Sequence, residues 1–305
     1  MRTVYAGVDN GNKATKSSRE IAYESGVSEF NSEPTNMQNT IIFTNKYFSY
    51  GESRMSVLKD KTVNSDTFVL TIPAIIDAAH KDGIVEGEEF SVSLGVGLPL
   101  SVFGTDKNKF KDYFLNRGRT EVVYNGKKYV FTISECSVYP QGYAAILMAY
   151  SSVSTYRTIN FVDIGGYTTD IGRLHFGKLE NTSCASINSG VINLFNQIKD
   201  EVGKIGYNLS ETDVEGILTD GFGIPEVDIL ARRIADKYVN TMLGEIKERG
   251  FELKLDTIFI GGGSELLSSV LRNNKDVNAM SIMDRFANAK AYETLIRKEA
   301  GRRSA

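Results

Sequence analysis

The chain has 305 residues, a length that fits about two domains. Its 35 Lys and Arg residues nearly balance 38 Asp and Glu residues, and the net charge of −3 lacks the strongly basic character of nucleic-acid-binding proteins. Two cysteines and two histidines are too few for a disulfide framework or a zinc cluster, and they argue against a Ser-His-Asp triad. No stretch approaches 18 apolar residues, and the first residues, 1–4, lack the long apolar region that is typical of a signal peptide. The composition predicts a soluble, cytoplasmic protein without direct nucleic-acid or membrane binding.

The predicted elements alternate between strands and helices. In chain order they are an unpatterned segment at 20–40 (a mobile loop or a ragged β-segment), a buried strand at 91–99, a helix at 107–117, a hairpin at 122–131, a helix at 141–150, helices at 191–204, 212–218 and 225–249, and a buried strand at 257–260. The Asn125-Gly126 pair suits the tight turn of the hairpin. This alternation predicts an α/β fold.

An internal sequence repeat, here called an echo, divides the chain into two halves. Residues 3–16 and 158–172 each read as a β-rich run that ends in Val-Asp-x-Gly, followed by a short polar turn and a returning segment. The two aspartates, Asp9 and Asp163, are 154 residues apart (163 − 9). This spacing is too long for a solenoid repeat and predicts a duplicated domain, with the small polar segment at 151–154 as the boundary.

The paired glycine turns predict a binding site for a nucleotide with Mg²⁺. Tight glycine turns direct backbone N–H groups at anions, and glycine lets a phosphate approach the backbone closely. An aspartate beside each turn would repel bare phosphate, but it fits a hydrated Mg²⁺ held by one or two carboxylates and by phosphate oxygens. The chain lacks the P-loop pattern Gly-x-x-x-x-Gly-Lys-Ser/Thr, and no Gly-x-Gly-x-x-Gly opens a helix after the first strand.

At these residues the chain resembles the actin-like ATPase superfamily. Residues 9–16, DNGNKATK, resemble the first phosphate loop, residues 163–170, DIGGYTTD, resemble the second, and residues 260–264, IGGGS, resemble the adenosine motif. Within the superfamily, residues 97–100, 139–142 and 285–292 are most similar to the bacterial ParM-type plasmid-segregation actins.

The resemblance implies an actin-like, duplicated ribonuclease-H-like two-domain fold with the nucleotide in the interdomain cleft. Domain I would comprise residues 1–150, with a C-terminal helix at about 284–300 that packs back on it, and domain II residues 151–283. Asp9 and Asp163 would hold hydrated Mg²⁺. The residues implied to bind ATP, with GTP as the alternative, are Gly11, Asn12, Lys13, Lys16, Gly165, Gly166, Tyr167, Thr168, Asp213, Glu215, Gly261, Gly262, Gly263 and Ser264.

Two side chains are candidates for orienting the attacking water. Gln141 follows Pro140 at the start of an apolar helix, and a neutral amide can orient water, as glutamine does in other nucleoside triphosphatases. The resemblance to actin places its water-positioning glutamine here. Some ParM proteins use a glutamate a few residues earlier, where this chain has Ser137 with Glu135 nearby. Both Gln141 and Glu135 therefore remain catalytic candidates beside Asp9 and Asp163.

The implied function is a filament-forming ATPase that hydrolyses Mg-ATP and segregates plasmid DNA through a DNA-binding adaptor. The near-neutral charge agrees with delegated DNA contact. The alternative is a non-polymerising small-molecule kinase of the same superfold, although no clear extra aspartate is available as its general base. A nucleotide-switched chaperone would need a further peptide-binding domain, for which 305 residues leave no room.

Overall fold

Two compact units form the chain in the computed structural model, which describes residues 1–58, 60–150 and 158–304. Unit 1 comprises Met1–Ala145 and Phe286–Ala305, and unit 2 comprises Ile146–Arg285. The boundary segment predicted at 151–154 lies outside the described residues.

Among its described residues, the first segment of unit 1 consists of eight strands and two helices, and a third helix, α3 (Tyr143–Tyr150), crosses from unit 1 into unit 2. The elements before α3 are β1 (Arg2–Asn10), β2 (Ala14–Ser17), β3 (Ala22–Phe30), β4 (Thr40–Phe43), β5 (Lys46–Gly51), α1 (Asp66–Lys81), β6 (Glu89–Leu98), α2 (Leu100–Leu115), β7 (Arg119–Tyr124) and β8 (Lys127–Pro140). The strands close into a barrel in the order β1-β2-β3-β5-β4-β7-β8-β6. The buried helix α1 packs on β1, with Phe68, Ile72 and Ile75 fully buried.

Unit 2 is a five-stranded sheet with helices. Its elements are β9 (Thr158–Ile164), β10 (Thr169–His175), β11 (Lys178–Ile187), α4 (Val191–Gly203), α5 (Glu211–Thr219), α6 (Pro225–Glu248), β12 (Thr257–Ile260), α7 (Gly261–Leu266), α8 (Ser268–Asn273) and β13 (Ala279–Ile282). The strand order is β11-β10-β9-β12-β13. The apolar faces of α4 and α6 form a core through Phe195, Ile198 and Val239.

The two units repeat one topology. In unit 1 the strands run β3-β2-β1-β6-β8, with β1 to β3 antiparallel and β6 and β8 parallel to their neighbours. Unit 2 repeats this pattern as β11-β10-β9-β12-β13. In register, Asp9 lies opposite Lys16 and Asp163 lies opposite Asp170, so the sequence echo is also a structural one. The duplication predicted from the sequence is confirmed.

The chain returns to unit 1 in a C-terminal helix, α9 (Ala287–Ser304), which packs on β1 and β6. Glycines on these strands let the helix approach closely. A side chain at Gly7 would lie 2.0 Å from the carbonyl oxygen of Ala289, and one at Gly97 would lie 2.0 Å from the hydroxyl of Tyr292. The helix is thereby fixed against the strand that carries the first glycine turn.

Candidate functional site

Unit 1 brings three of the predicted site residues together. Asp9 is buried at the end of β1, where only 5% of its surface is exposed. The amide Nε2 of Gln141 donates a hydrogen bond to Asp9 Oδ1 at 2.8 Å, and Lys16 Nζ lies 3.7 Å from Asp9 Oδ2. A carboxylate, an ammonium group and a neutral amide are thus held side by side at the first glycine turn.

The first glycine turn is shaped by backbone hydrogen bonds. The N–H of Gly11 donates to the carbonyl of Asp9 at 3.0 Å, and the hydroxyl of Ser25 donates to the carbonyl of Gly11 at 2.6 Å. A side chain at Gly11 would lie 2.7 Å from the carbonyl oxygen of Ala14, so glycine is required there. In the same turn, Lys13 Nζ lies 3.3 Å from Glu24 Oε1.

The position of Gln141 depends on two other elements of unit 1. Because β8 runs parallel to β6, its last residue pairs with Leu98, and the N–H of Gln141 donates to the carbonyl of Leu98 at 2.9 Å. The next residue, Gly142, has a φ of +71°, and its N–H donates to Oδ1 of Asn288 on α9 at 3.0 Å. The turn that carries Gln141 is therefore held from both sides.

The other water-positioning candidate, Glu135, makes different contacts. Its carboxylate accepts a hydrogen bond from Ser93 Oγ at 3.2 Å and forms an ion pair with Arg303 on α9. Its side chain is 42% exposed. The structure brings Gln141 to Asp9, whereas Glu135 binds the C-terminal helix.

In unit 2, the second glycine turn rests on the first turn of α4. The N–H of Gly165 donates to the carbonyl of Thr168, and the N–H groups of Val191 and Ile192 donate to the carbonyls of Gly165 and Gly166. Tyr167 lies in this turn with 36% of its surface exposed. The position equivalent to Gly11 is Gly165, where a side chain would lie 3.0 Å from the carbonyl oxygen of Thr168.

The third glycine-rich segment lies directly against Asp163. Gly261 has a φ of +89°, and a side chain there would lie 2.5 Å from Asp163 Oδ1. A side chain at Gly263 would lie 2.5 Å from Cγ2 of Ile164. Ser264 is buried and donates its hydroxyl hydrogen bond to the carbonyl of Ile260 at 2.5 Å. Unit 2 thus gathers Asp163 and residues 261–264, including Gly262, at one end of its sheet.

The two acidic candidates on α5 have structural contacts. Asp213 forms a capping box with Ser210, whose N–H and hydroxyl both donate to Asp213 Oδ2 at 2.7 Å. These hydrogen bonds lower the pKa of Asp213. Glu215 lies 4.0 Å from the guanidinium of Arg285, which also pairs with Glu265.

Asp170 belongs to the unit 2 site, but sequence reasoning did not select it as a candidate. It is 3% exposed and lies opposite Asp163 in the β9–β10 register. Burial, reinforced by the charge of Asp163, raises the pKa of Asp170 to about 7. Within the described part of the chain its Oδ1 is buried without a hydrogen-bond partner. The signal in the sequence was the echo itself, since Asp170 stands where the first half has Lys16.

Lys61 is a second missed residue, in the connection between β5 and α1. Its ammonium group donates to the main-chain carbonyl of Asn10, which immediately precedes Gly11. Burial lowers its pKa, and the charge of Asp9 partly opposes that shift. No sequence pattern marked Lys61, because its place depends on how the connection folds back over the glycine turn.

Comparisons with known proteins identify this architecture. Residues 7–143 match the family described as actin-like proteins, N-terminal domain. Three similar solved structures are an archaeal actin homologue in complex with ADP (18% identity, 97% of this chain and 99% of that chain, TM-score 0.76), a 15-stranded ParM filament from Clostridium botulinum (16%, 98% and 100%, 0.74) and ParM of Bacillus thuringiensis with ATP (15%, 98% and 100%, 0.68). No curated protein matches the sequence.

The fold is that of the actin-like proteins. The resemblance to the actin-like superfamily predicted from the sequence is confirmed by the family model and by the fold, which the ParM structures share. The segments predicted to be the first and second phosphate loops form the β1–β2 and β9–β10 turns, and the segment predicted to be the adenosine motif lies at the β12–α7 junction.

The site residues of the actin-like fold suit a magnesium nucleotide. Asp9 in unit 1 and Asp163 in unit 2 each offer hard oxygen ligands, the backbone N–H groups of a glycine turn suit phosphate oxygens, and Lys16 supplies positive charge in unit 1. Within residues 1–58, 60–150 and 158–304, no group of three or more His, Cys, Asp or Glu side chains is arranged to hold a metal ion. No helix in these ranges is long and apolar enough to span a bilayer.

Proposed function

We propose that this actin-like chain binds and hydrolyses Mg-ATP, assembles into filaments, and drives plasmid DNA segregation through a DNA-binding adaptor. The observation that carries the proposal is the 2.8 Å hydrogen bond from the Gln141 amide to Asp9, at the first glycine turn of an actin-like fold. A glutamine held beside a magnesium-binding carboxylate is suited to orienting water for phosphoryl transfer.

The phosphates would be bound by the backbone of both glycine turns. In this proposal, N–H groups of residues 11–13 and 165–167 bind phosphate oxygens, and Lys16 and Thr168 add side-chain contacts. Asp9 and Asp163 hold hydrated Mg²⁺, which neutralises phosphate charge when bound. Residues 261–264, which lie directly against Asp163 and Ile164, pass close to the nucleoside in this proposal.

Hydrolysis would depend on Gln141. Its amide is uncharged at all working pH values, so it acts by orienting water and not by accepting the proton. Asn288 and Leu98 fix the turn that carries it, which limits the loss of side-chain freedom on binding. The contacts of Glu135 with Ser93 and Arg303 support Gln141 over Glu135 for this role.

Filament formation and segregation are supported by the fold and by charge. One similar structure is itself a ParM filament, and two others were solved with ADP and with ATP. The net charge of −3 favours DNA contact through an adaptor over direct binding. The glycine turns contact phosphate and not base, so GTP is the alternative nucleotide.

Calorimetric titration with ATP and GTP, with and without Mg²⁺, tests the nucleotide site. We expect magnesium-dependent binding that weakens at least about tenfold in Asp163→Ala, since one Mg²⁺-binding carboxylate is removed. Asp236→Ala, which removes an exposed carboxylate on α6 of the same unit, should bind as the wild type does. Failure of the wild type to bind either nucleotide would contradict the proposed function.

A further inference from the structure

Three carbonyls of the second glycine turn face the start of α4. They belong to residues 165–167 and accept hydrogen bonds from the N–H groups of residues 190–192, at N···O distances of 2.9 to 3.1 Å. The peptide bonds here are trans, so each carbonyl points opposite to the N–H of the residue that follows it. The N–H groups of residues 166–168 therefore point away from α4. Successive N–H groups on one side of a turn form an arrangement that binds anions.

The hydroxyl of Tyr238, on α6, begins one hydrogen-bond chain that ends at this turn. It donates to the carbonyl of Gly190 at 3.0 Å. That carbonyl shares a peptide group with the N–H of Val191, which donates to the carbonyl of Gly165 at 3.1 Å. The carbonyl of Gly165 shares its peptide group with the N–H of Gly166. Because hydrogen-bonded groups in a chain polarise one another, Tyr238 both orients the N–H of Gly166 and strengthens it as a donor.

A second chain begins at the hydroxyl of Thr169, a buried residue at the start of β10. It donates to the carbonyl of Ser189 at 2.9 Å. The same peptide group carries the N–H of Gly190, which donates to the carbonyl of Tyr167 at 3.0 Å. The peptide group of that carbonyl carries the N–H of Thr168. The two hydroxyls thus act on the first and the last of the three aligned N–H groups.

The local structure keeps both chains intact. Gly190 has a φ of −85°, which any residue can adopt, but a side chain there would lie 2.5 Å from the carbonyl oxygen of Gly166. Glycine is therefore required for the close approach of α4 to the turn. Burial raises the pKa of Tyr238 to about 12, so its hydroxyl remains a hydrogen-bond donor at neutral pH.

We propose that Tyr238 and Thr169 are positioning residues for phosphate binding, whose hydroxyls hold the start of α4 so that it aims the N–H groups of residues 166–168 at phosphate oxygens. The inference rests on the proposed function and deepens it. Neither hydroxyl contacts the nucleotide. Their effect is preorganisation, because donors that are already aligned lose little freedom when the anion binds.

Calorimetric titration of Tyr238→Phe and Thr169→Val tests the inference, since each substitution removes one hydroxyl. The ligand is the triphosphate that the wild type binds more tightly, ATP or GTP, with Mg²⁺. We expect each variant to bind it about three- to tenfold more weakly, the effect of one lost hydrogen bond. Thr169→Ser keeps a hydroxyl and should recover most of the affinity that Thr169→Val loses.

Thr241→Val is the matched control. It removes a hydroxyl from the next turn of α6, where Thr241 donates to the carbonyl of Lys237 in its own helix. This variant should bind the nucleotide as tightly as the wild type does.

Hydrogen exchange separates positioning from a contribution to stability. With saturating nucleotide, peptides that cover residues 165–169 should be protected in the wild type and less protected in Tyr238→Phe. A lower urea midpoint with an affinity within about twofold of the wild type, in either Tyr238→Phe or Thr169→Val, would overturn the inference while leaving the proposed function intact. A wild type that binds neither nucleotide would overturn both.

Discussion

Gln141 is the residue that tests most directly whether the site hydrolyses the nucleotide or only binds it. Gln141→Ala removes the amide at Asp9 without touching the glycine turn. We expect phosphate release to slow by about 10²-fold, because an oriented water is lost, while nucleotide-dependent assembly persists. Phosphate release and light scattering, recorded on the same sample, measure both effects.

Glu135→Gln is the informative companion of Gln141→Ala. Its carboxylate binds Ser93 and Arg303, so we expect a turnover rate close to that of the wild type. A wild-type rate of phosphate release in Gln141→Ala would show that Gln141 does not orient the attacking water. A large loss in Glu135→Gln, with its filaments intact, would transfer that role to Glu135.

The raised pKa of Asp170 makes a prediction about stability and pH. The folded state holds its proton up to about pH 7, whereas an unfolded aspartate loses it near pH 4, so the folded state binds more protons between these values. The protonated Asp170 therefore stabilises the folded state fully below about pH 4, and this stabilisation is lost as the pH rises through 7. Between these values the free energy of unfolding falls by up to about 1.4 kcal/mol per pH unit. The charge of Asp163 raises the pKa of Asp170 further, and the hydrogen bond from Ser186 opposes the shift.

Urea unfolding of the nucleotide-free protein in chelator checks this pH dependence. Asp170→Asn has no proton to lose, so its stability should not show this loss. The free energy of unfolding of the variant minus that of the wild type should therefore grow from pH 5 to pH 7 and level off by pH 8. A difference that is the same at every pH would show that Asp170 titrates normally.

Single residues of the site were predictable from the sequence only where a local motif marks them. Asp9, Gly11, Asp163 and the glycines at 261–263 stand in turns that can be read directly. Asp170 and Lys61 are set by a cross-strand register and by a folded-back connection, and neither is a local property of the chain.

At the scale of elements, the packing of α9 on β1 predicts a strong effect of one methyl group. Gly7→Ala places a Cβ 2.0 Å from the carbonyl oxygen of Ala289. This steric clash is not easily relieved, because both contacting segments are backbone. We expect the free energy of unfolding to fall by about 1–3 kcal/mol. Chemical denaturation measures the change.

Gly104→Ala is the matched control. It lies inside α2, and nothing stands within 4 Å of the added Cβ. Alanine is the better helix former, so this variant should gain about 0.5–1 kcal/mol. Equal effects of the two substitutions would contradict the close packing of α9 on β1.

Most periodic elements were predicted well, but α2 begins at Leu100, directly after Pro99, and not at the predicted residue 107. The hairpin turn has a positive φ at Asn125 and Gly126, α4 and α6 end within a residue of their predicted bounds, and β12 has the predicted bounds. Helix α1 was not predicted, because it is apolar almost all round and contains Pro73. Residues 22–30 form a strand, which agrees with the β-segment alternative.

At the scale of the whole molecule, the duplication was the most informative sequence feature. It predicted two repeats of one topology, although the two halves share little sequence beyond their glycine turns. Polymerisation could not be read in the same way. A filament interface leaves no periodic or motif-like trace in a single sequence, so polymerisation is proposed from similarity of fold alone.

The most direct test of the central claim is right-angle light scattering of the purified chain with Mg-ATP, Mg-GTP or neither, recorded alongside phosphate release. We expect scattering that rises only with nucleotide and above a critical protein concentration, and that then decays as phosphate accumulates. Nucleotide binding with flat scattering at every concentration would contradict it and favour a monomeric kinase of the same fold.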